Sequence, residues 1–216
     1  MSKLRSVFDM SRSASRREQV LYLASQLFAE RGYHAVGMDD IGDAAGVSGP
    51  AIYRHFPSKA ALLAALFNKL TDQLVARAAE IVAAHPDGVD AIRHLVRYQT
   101  EMCIYDRSVM AVYLSEFRSL PQEEQLALRL KQRAYLFDWM RTLGRVHPGY
   151  SEAELRALVQ AAIAVAQSVV YYRSPLTEND LIELVAKAAE SVLQLSSQET
   201  AALASVSSAA VDNGQA

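Results

Sequence analysis

Between Met38 and Lys59 the chain reads MDDIGDAAGVSGPAIYRHFPSK, and no other stretch limits the fold as much. Two apolar patterns of helical spacing, each about two turns long, flank Gly46-Val47-Ser48. Asp39 and Asp40 stand where a helix N-terminus favours negative charge, and Gly46 closes that helix. Ser48 can cap the next one. Pro50 is tolerated in its first turn, whose N–H groups lack intrahelical partners, and Pro57 stops it.

Two short helices joined by a tight glycine-containing turn form a helix-turn-helix, a motif whose second helix enters the DNA major groove. Ala45, Val47 and Ile52 are the apolar pins of the crossing, which leaves Ser48, Tyr53, Arg54 and His55 able to face outward. Hydroxyls of Ser48 and Tyr53 suit phosphate oxygens, as does Lys59 at the start of another helix. Arg54 has the reach for guanine, and His55 for a base or a phosphate. The same spacing also fits a plain helical hairpin, with Tyr53 and Phe56 as packing residues.

Elsewhere the apolar spacing is helical too, with no convincing period-two strand. Ser15 and Glu18 form a capping box for a helix to Arg31, with Val20, Leu23, Ala24, Leu27 and Phe28 as its inner face. From Lys59 a pattern without a breaker runs to about Ala84, roughly 39 Å of helix at 1.5 Å per residue. Further helices are expected at about 89–106, 108–119, 121–145, 151–173 and 177–195, bounded by His85-Pro86-Asp87-Gly88, Pro121, His147-Pro148-Gly149 and Pro175. The fold class is all-α. Four regions follow: a basic flexible arm at 1–14, a three-helix DNA-binding domain at 15–60, a helical ligand-binding and dimerisation domain at 61–196, and a Ser/Ala-rich disordered tail at 197–216.

Composition removes several classes. Cys103 is the only cysteine, which rules out an intrachain disulfide and thiolate-rich metal sites. The most apolar run, ALVQAAIAVAQSVVYY, is short for a membrane span and broken by Gln160, Gln167 and Ser168, and no signal peptide is evident. A cytoplasmic protein without membrane association is expected. Residues 1–60 carry eight Lys/Arg against six Asp/Glu, and the remainder fourteen against eighteen. The sharper bias lies in the first seventeen residues, where Lys3, Arg5, Arg12, Arg16 and Arg17 face only Asp9. That segment reads either as a solvated terminus or as an arm that touches phosphates, and Arg16 and Arg17, at the start of the 15–60 domain, are candidate DNA contacts. The five histidines are scattered, and neither a P-loop nor a G-x-S-x-G is present, so no enzyme activity, cofactor or metal is expected.

AAGVSGPAIYRHFPSKAALL closely resembles the DNA-binding module of the TetR family of bacterial repressors, and LFAERGYHAVGMDDIG resembles the end of that family's first helix. The likeness spans about residues 15–66. It implies phosphate contacts from Ser48, Tyr53, His55 and Lys59, with Pro50, Ala51 and Arg54 nearest the bases. Where the family often places Thr-Thr, this chain has Val36-Gly37, so that phosphate contact is in question. The resemblance further implies a dimeric regulator on an inverted-repeat operator, most simply a repressor. A small hydrophobic effector, such as a fatty acyl or steroid-derived coenzyme A thioester, would release it. The competing reading is a ligand-independent DNA-binding protein whose second domain only dimerises or recruits a partner.

The body offers matching material. Candidate effector residues are Arg97, Tyr98, Glu101, Met102, Tyr105, Tyr113, Phe117, Arg133, Phe137, Met140, Gln167 and Tyr171, large amphipathic side chains with polar groups among them. Leu155, Leu158, Ala162, Val165, Ala166 and Val169, with Leu181, Leu184, Val185, Ala188 and Val192, are the expected faces of a two-fold four-helix interface. The same faces would equally complete the monomer's own core.

Overall fold

The computed structural model describes residues 6–8 and 15–195. Among them lie α1 (Arg16–Arg31), α2 (Met38–Ala45), α3 (Gly49–His55), α4 (Lys59–Ala84), α5 (Gly88–Tyr105), α6 (Arg107–Glu116), α7 (Gln122–Val146), α8 (Glu152–Gln167) and α9 (Glu178–Val192), with 3-10 turns at Phe117–Ser119 and Ser168–Val170 and no strand. The tail beyond residue 196, and residues 1–5 and 9–14 of the arm, lie outside the described part.

Capping chemistry sets the helix starts. The Ser15 and Ser151 hydroxyls accept the N–H of Glu18 and Glu154, whose carboxylates accept the serines' own N–H groups. Asp87 accepts from Val89 and Asp90, and Thr177 from Asp180. α2 ends at Gly46 in the left-handed region (φ 61°), where Val47 N–H reaches back to the Gly42 carbonyl at 2.9 Å. A Cβ at Gly42 would lie 3.1 Å from the Val47 carbonyl oxygen, so this position lets α2 and α3 cross closely. Ile52 and Ile41 are fully buried at that crossing and Ala45 nearly so, while Val47 is half-buried.

α1, α2 and α3 form a small three-helix unit, and α4 ties it to the body. Leu62, Leu63, Leu66, Phe67 and Leu70 of α4 are fully buried, and Phe67 meets Tyr113 of α6 edge-on at 5.0 Å. The buried arc of α1 is Val20, Leu21, Ala24, Ser25 and Phe28, with Leu23 and Leu27 only half-buried. The expected face is therefore rotated, because α6 as well as α2 and α4 packs on α1.

Three further expectations change. Of the arm, residues 6–8 are not a free segment: Val7 and Phe8 are buried, the Ser6 hydroxyl and Val7 N–H donate to Asp106, and Phe8 lies edge-on to Tyr22. Burial pushes the Asp106 carboxyl above its ordinary range. The helix expected to reach 173 ends at Gln167, where a 3-10 turn buries Val169 and Val170 and Arg107 donates to the Tyr172 carbonyl at 2.6 Å. Five of the eleven residues of the expected dimer face, Ala162, Ala166, Val169, Leu181 and Val185, are instead buried within the chain as α8 and α9 pack on each other and on α5. The exposed small-residue face is Ala157, Ala161 and Ala164 on α8, with Leu184 and Ala188 on α9. Glu152–Val170 is long and apolar enough, at mean hydropathy 1.3, to cross a membrane, yet it is a body helix packed on α5, α7 and α9.

Candidate DNA interface and effector cavity

α3 presents one polar face. Tyr53, half of its surface exposed, stands beside the exposed Arg54 and His55, and Ser48 and Pro50 are exposed at the helix start. Ser48 occupies the N-cap, yet its hydroxyl makes no capping bond. Among the described residues Arg54 has no ion-pair partner. An exposed, uncommitted guanidinium beside hydroxyl and imidazole groups is what a polyanion's groove requires.

The other expected contacts sit differently. Ala51 is buried. Lys59 Nζ donates to the carbonyls of Tyr33 (3.0 Å) and Val36 (2.9 Å) and lies 4.5 Å from the Tyr33 ring centroid, so it ties α4 to the α1–α2 loop. Arg16 bonds Gln19 and the Ala45 carbonyl at the end of α2, and Arg17 stacks over Phe56 at 4.7 Å. These cations hold the unit together first. A cation placed early in a helix reads as a phosphate contact in sequence, but the carbonyl ends of a neighbouring helix attract it as well.

In the body, α4, α5, α6, α7 and α8 line a half-open cavity of about 190 Å³. Leu74, Val75, Met110, Leu136 and Ile163 give it an apolar lining. Its polar groups are Thr71, Gln99, Tyr113, Gln132, Tyr135, Gln160 and Gln167, with Lys131 the one charged side chain. Tyr135 donates to Gln99 Oε1 at 2.7 Å, Gln99 Nε2 lies 3.5 Å from Cys103 Sγ, and Gln132 donates to the Tyr113 hydroxyl. Burial raises the Tyr113 and Tyr135 hydroxyls above their ordinary range and pushes the Cys103 thiol up to about 12, so all three stay protonated and neutral.

Of the twelve candidate effector residues, the cavity brings together Tyr113 and Gln167. Arg133, Phe137 and Met140 instead line a separate open groove with Arg141, Leu155 and Arg156, which shares the Leu136 wall. Arg97 is held at the surface by Glu101 (3.0 Å) and Glu183 (2.5 Å), and these carboxylates, Glu183 first, raise its pKa. Tyr98 and Met102 are core, Phe117 packs on Tyr113, and Tyr105 and Tyr171 are exposed. The sequence reading missed the α4 wall and the amides Gln99, Gln132 and Gln160. Gln99 had a signal: it sits among Leu95, Val96, Met102 and Cys103 at helical spacing, which places a neutral polar group on an inner face.

Comparison with known proteins agrees with this architecture. Residues 20–66 match the sequence pattern of bacterial regulatory proteins of the tetR family. The chain is 35% identical over 108 residues to the HTH-type transcriptional activator FasR of Mycolicibacterium smegmatis, covering 50% of this chain and 49% of that relative, about half its length. It is 29% identical to the HTH-type transcriptional repressor KstR2 of Rhodococcus jostii, covering 72% and 76%. Among solved structures, AibR in complex with isovaleryl coenzyme A and operator DNA superposes with a TM-score of 0.70 at 16% identity, over 81% and 97% of the two chains, a likeness of fold. These relatives are regulators rather than enzymes. Residues 20–66 thus carry the DNA-binding pattern of the tetR family, and the chain is similar to DNA-binding transcriptional regulators.

Proposed function

We propose that the chain is a regulator that binds an inverted-repeat operator as a homodimer and is released by a small hydrophobic or acyl-coenzyme-A-like effector, acting as a repressor. The carrying observation is the continuity of α4. Its N-terminal half belongs to the reading unit's core, while Thr71, Leu74 and Val75 form a wall of the cavity. Ligand pressing on that wall shifts a helix that both bodies share. Two reading helices must meet successive major grooves about 34 Å apart, so a small tilt of α4 disturbs their spacing.

Ser48, Pro50, Tyr53, Arg54 and His55 are the proposed DNA contacts. Lys59, Arg16 and Arg17 reach phosphate only while keeping, or exchanging, their internal bonds. The exposed alanines of α8 with Leu184 and Ala188 of α9 are the proposed two-fold face. The AibR complex and the groove beside Leu136 support a thioester effector, whose phosphates would lie against Arg133, with Arg141 and Arg156 exchanging their bridges to Asp138 (3.5 Å) and Glu152 (2.8 Å).

By linkage, a ligand that weakens operator binding must itself bind the DNA-bound form more weakly by the same factor. The test is an anisotropy titration of a labelled operator duplex with and without saturating acyl-coenzyme A. Release supports the reading. Unchanged operator affinity, together with no co-purifying small molecule by mass spectrometry, would favour the ligand-independent alternative.

A further inference from the structure

The cavity's polar groups also define the kind of ligand it takes, an inference that rests on the effector reading above and narrows it. Every polar side chain lining it except Lys131 is uncharged, and Lys131 is already committed: Nζ lies 2.6 Å from Asp72 Oδ1 and 2.6 Å from Asn68 Oδ1. Thr71 returns its hydroxyl proton to the Phe67 carbonyl at 2.8 Å, and Tyr135 and Gln99 satisfy one another. On the ligand side that leaves Tyr113, whose hydroxyl accepts from Gln132 and keeps its own proton to donate, and the Gln132 amide oxygen. Among the described residues the side chains of Gln167 and of Gln160, the latter exposed, have no hydrogen-bond partner.

We infer that the effector's buried part is an uncharged hydrogen-bonding group on an apolar frame, such as an amide, thioester carbonyl, ketone or alcohol, and that the cavity rejects the matching carboxylate. An ionised carboxylate leaving water for an apolar cavity must find a partner charge, or it loses several kcal/mol. Here the one cation already faces Asp72, so a second carboxylate would share a charge that is neutralised. A neutral carbonyl instead accepts from the Tyr113 hydroxyl or a glutamine amide and gives up little. The space, about 190 Å³, is on the order of six water volumes at about 30 Å³ each, room for a compact ring with one polar group. The reading separates an acyl thioester from its free acid: the thioester's buried carbonyl is neutral, the acid's is charged.

The test uses two probes of one shape, cyclohexanecarboxamide and cyclohexanecarboxylate, titrated into the full-length protein near neutral pH by saturation-transfer NMR. The carboxamide is expected to bind with a Kd at least about tenfold lower than the carboxylate. The double variant Gln132→Leu/Gln167→Leu should lose that preference. Asp72→Asn, a change at a mostly exposed carboxylate that the fold tolerates, should gain carboxylate binding by releasing Lys131. A carboxylate that binds as tightly as the carboxamide, or no binding of either probe, would overturn the inference. So would an Asp72→Asn protein that still refuses the carboxylate. Operator binding, followed by anisotropy on the same samples, is a separate readout: its absence defeats the regulator reading, whereas its presence with no carboxamide preference defeats only this one.

Discussion

The helix proposed to read DNA and the cavity proposed to take the effector would meet their partners in opposite ways. α3 turns Tyr53, Arg54 and His55 into solvent, with Arg54 unpaired among the described residues. The cavity turns amides and phenols inward and holds its one cation against Asp72. A polyanion is met by exposed positive charge whose desolvation is slight, while a small ligand in an apolar chamber is met by neutral donors and acceptors that are cheap to bury. The two regions nevertheless share α4, so they are distinct in chemistry and joined in mechanics.

The largest expected effect tests that joining. Phe67 of α4 is fully buried and contacts Tyr113 in the body, so Phe67→Ala should cost about 3–5 kcal/mol of stability. Trp139, the only tryptophan, is buried in the body, so its fluorescence reports that region alone. Fluorescence and far-UV circular dichroism should give one coincident transition in both proteins. Two separated transitions would show the regions to be mechanically independent.

Next comes Lys59. With its ammonium on the Tyr33 and Val36 carbonyls, Lys59→Met should lower stability by about 1.5–3 kcal/mol in urea unfolding while leaving the salt dependence of DNA binding unchanged. A shallower salt slope with unaltered stability would return this lysine to the phosphate contacts. Arg54→Ala should do the reverse: normal unfolding, with operator affinity reduced by about 1–3 kcal/mol, roughly fivefold to 150-fold. Equal loss on operator and random duplex would make Arg54 a phosphate contact rather than a base reader.

The smallest effect concerns Glu18, which receives a 2.7 Å hydrogen bond from Lys69 and so joins α1 to α4. That bond first, and the ammonium's charge second, hold its carboxyl below the ordinary value of 4.5. A depressed folded pKa gives stability that is present above the ordinary value and lost as pH falls through the folded one. Glu18→Gln should therefore cost up to about 1 kcal/mol near neutrality, with the gap from the wild type closing in acid.

The reading unit was legible because its helices are short and bounded by residues with local duties: Ser15 with Glu18, Gly46 and Pro57 act within a few positions of themselves. The cavity was largely illegible because five helices each contribute one to four side chains to it. A helix's apolar spacing says that a face is inward, not which neighbour it meets. The sequence offers Tyr113 and Gln167, which do line the cavity, as candidates, whereas Gln160, on the same helix as Gln167, stands in the sequence only as an interruption of an apolar run. Arg97 and Glu101 showed i,i+4 spacing, and the third partner that fixes them at the surface, Glu183, lies on α9, far along the chain. Ser6 and Val7 on Asp106 are equally non-local, and composition alone made that segment look unattached.

The most direct test is selection of duplexes from a random-sequence pool by the full-length protein at low salt, followed by anisotropy with Arg54→Ala. The account predicts enrichment of an inverted repeat with half-sites about one helical turn apart, bound at least about fivefold more weakly by the variant. No enriched sequence, or a repeat that Arg54→Ala binds as well as the wild type does, would contradict it.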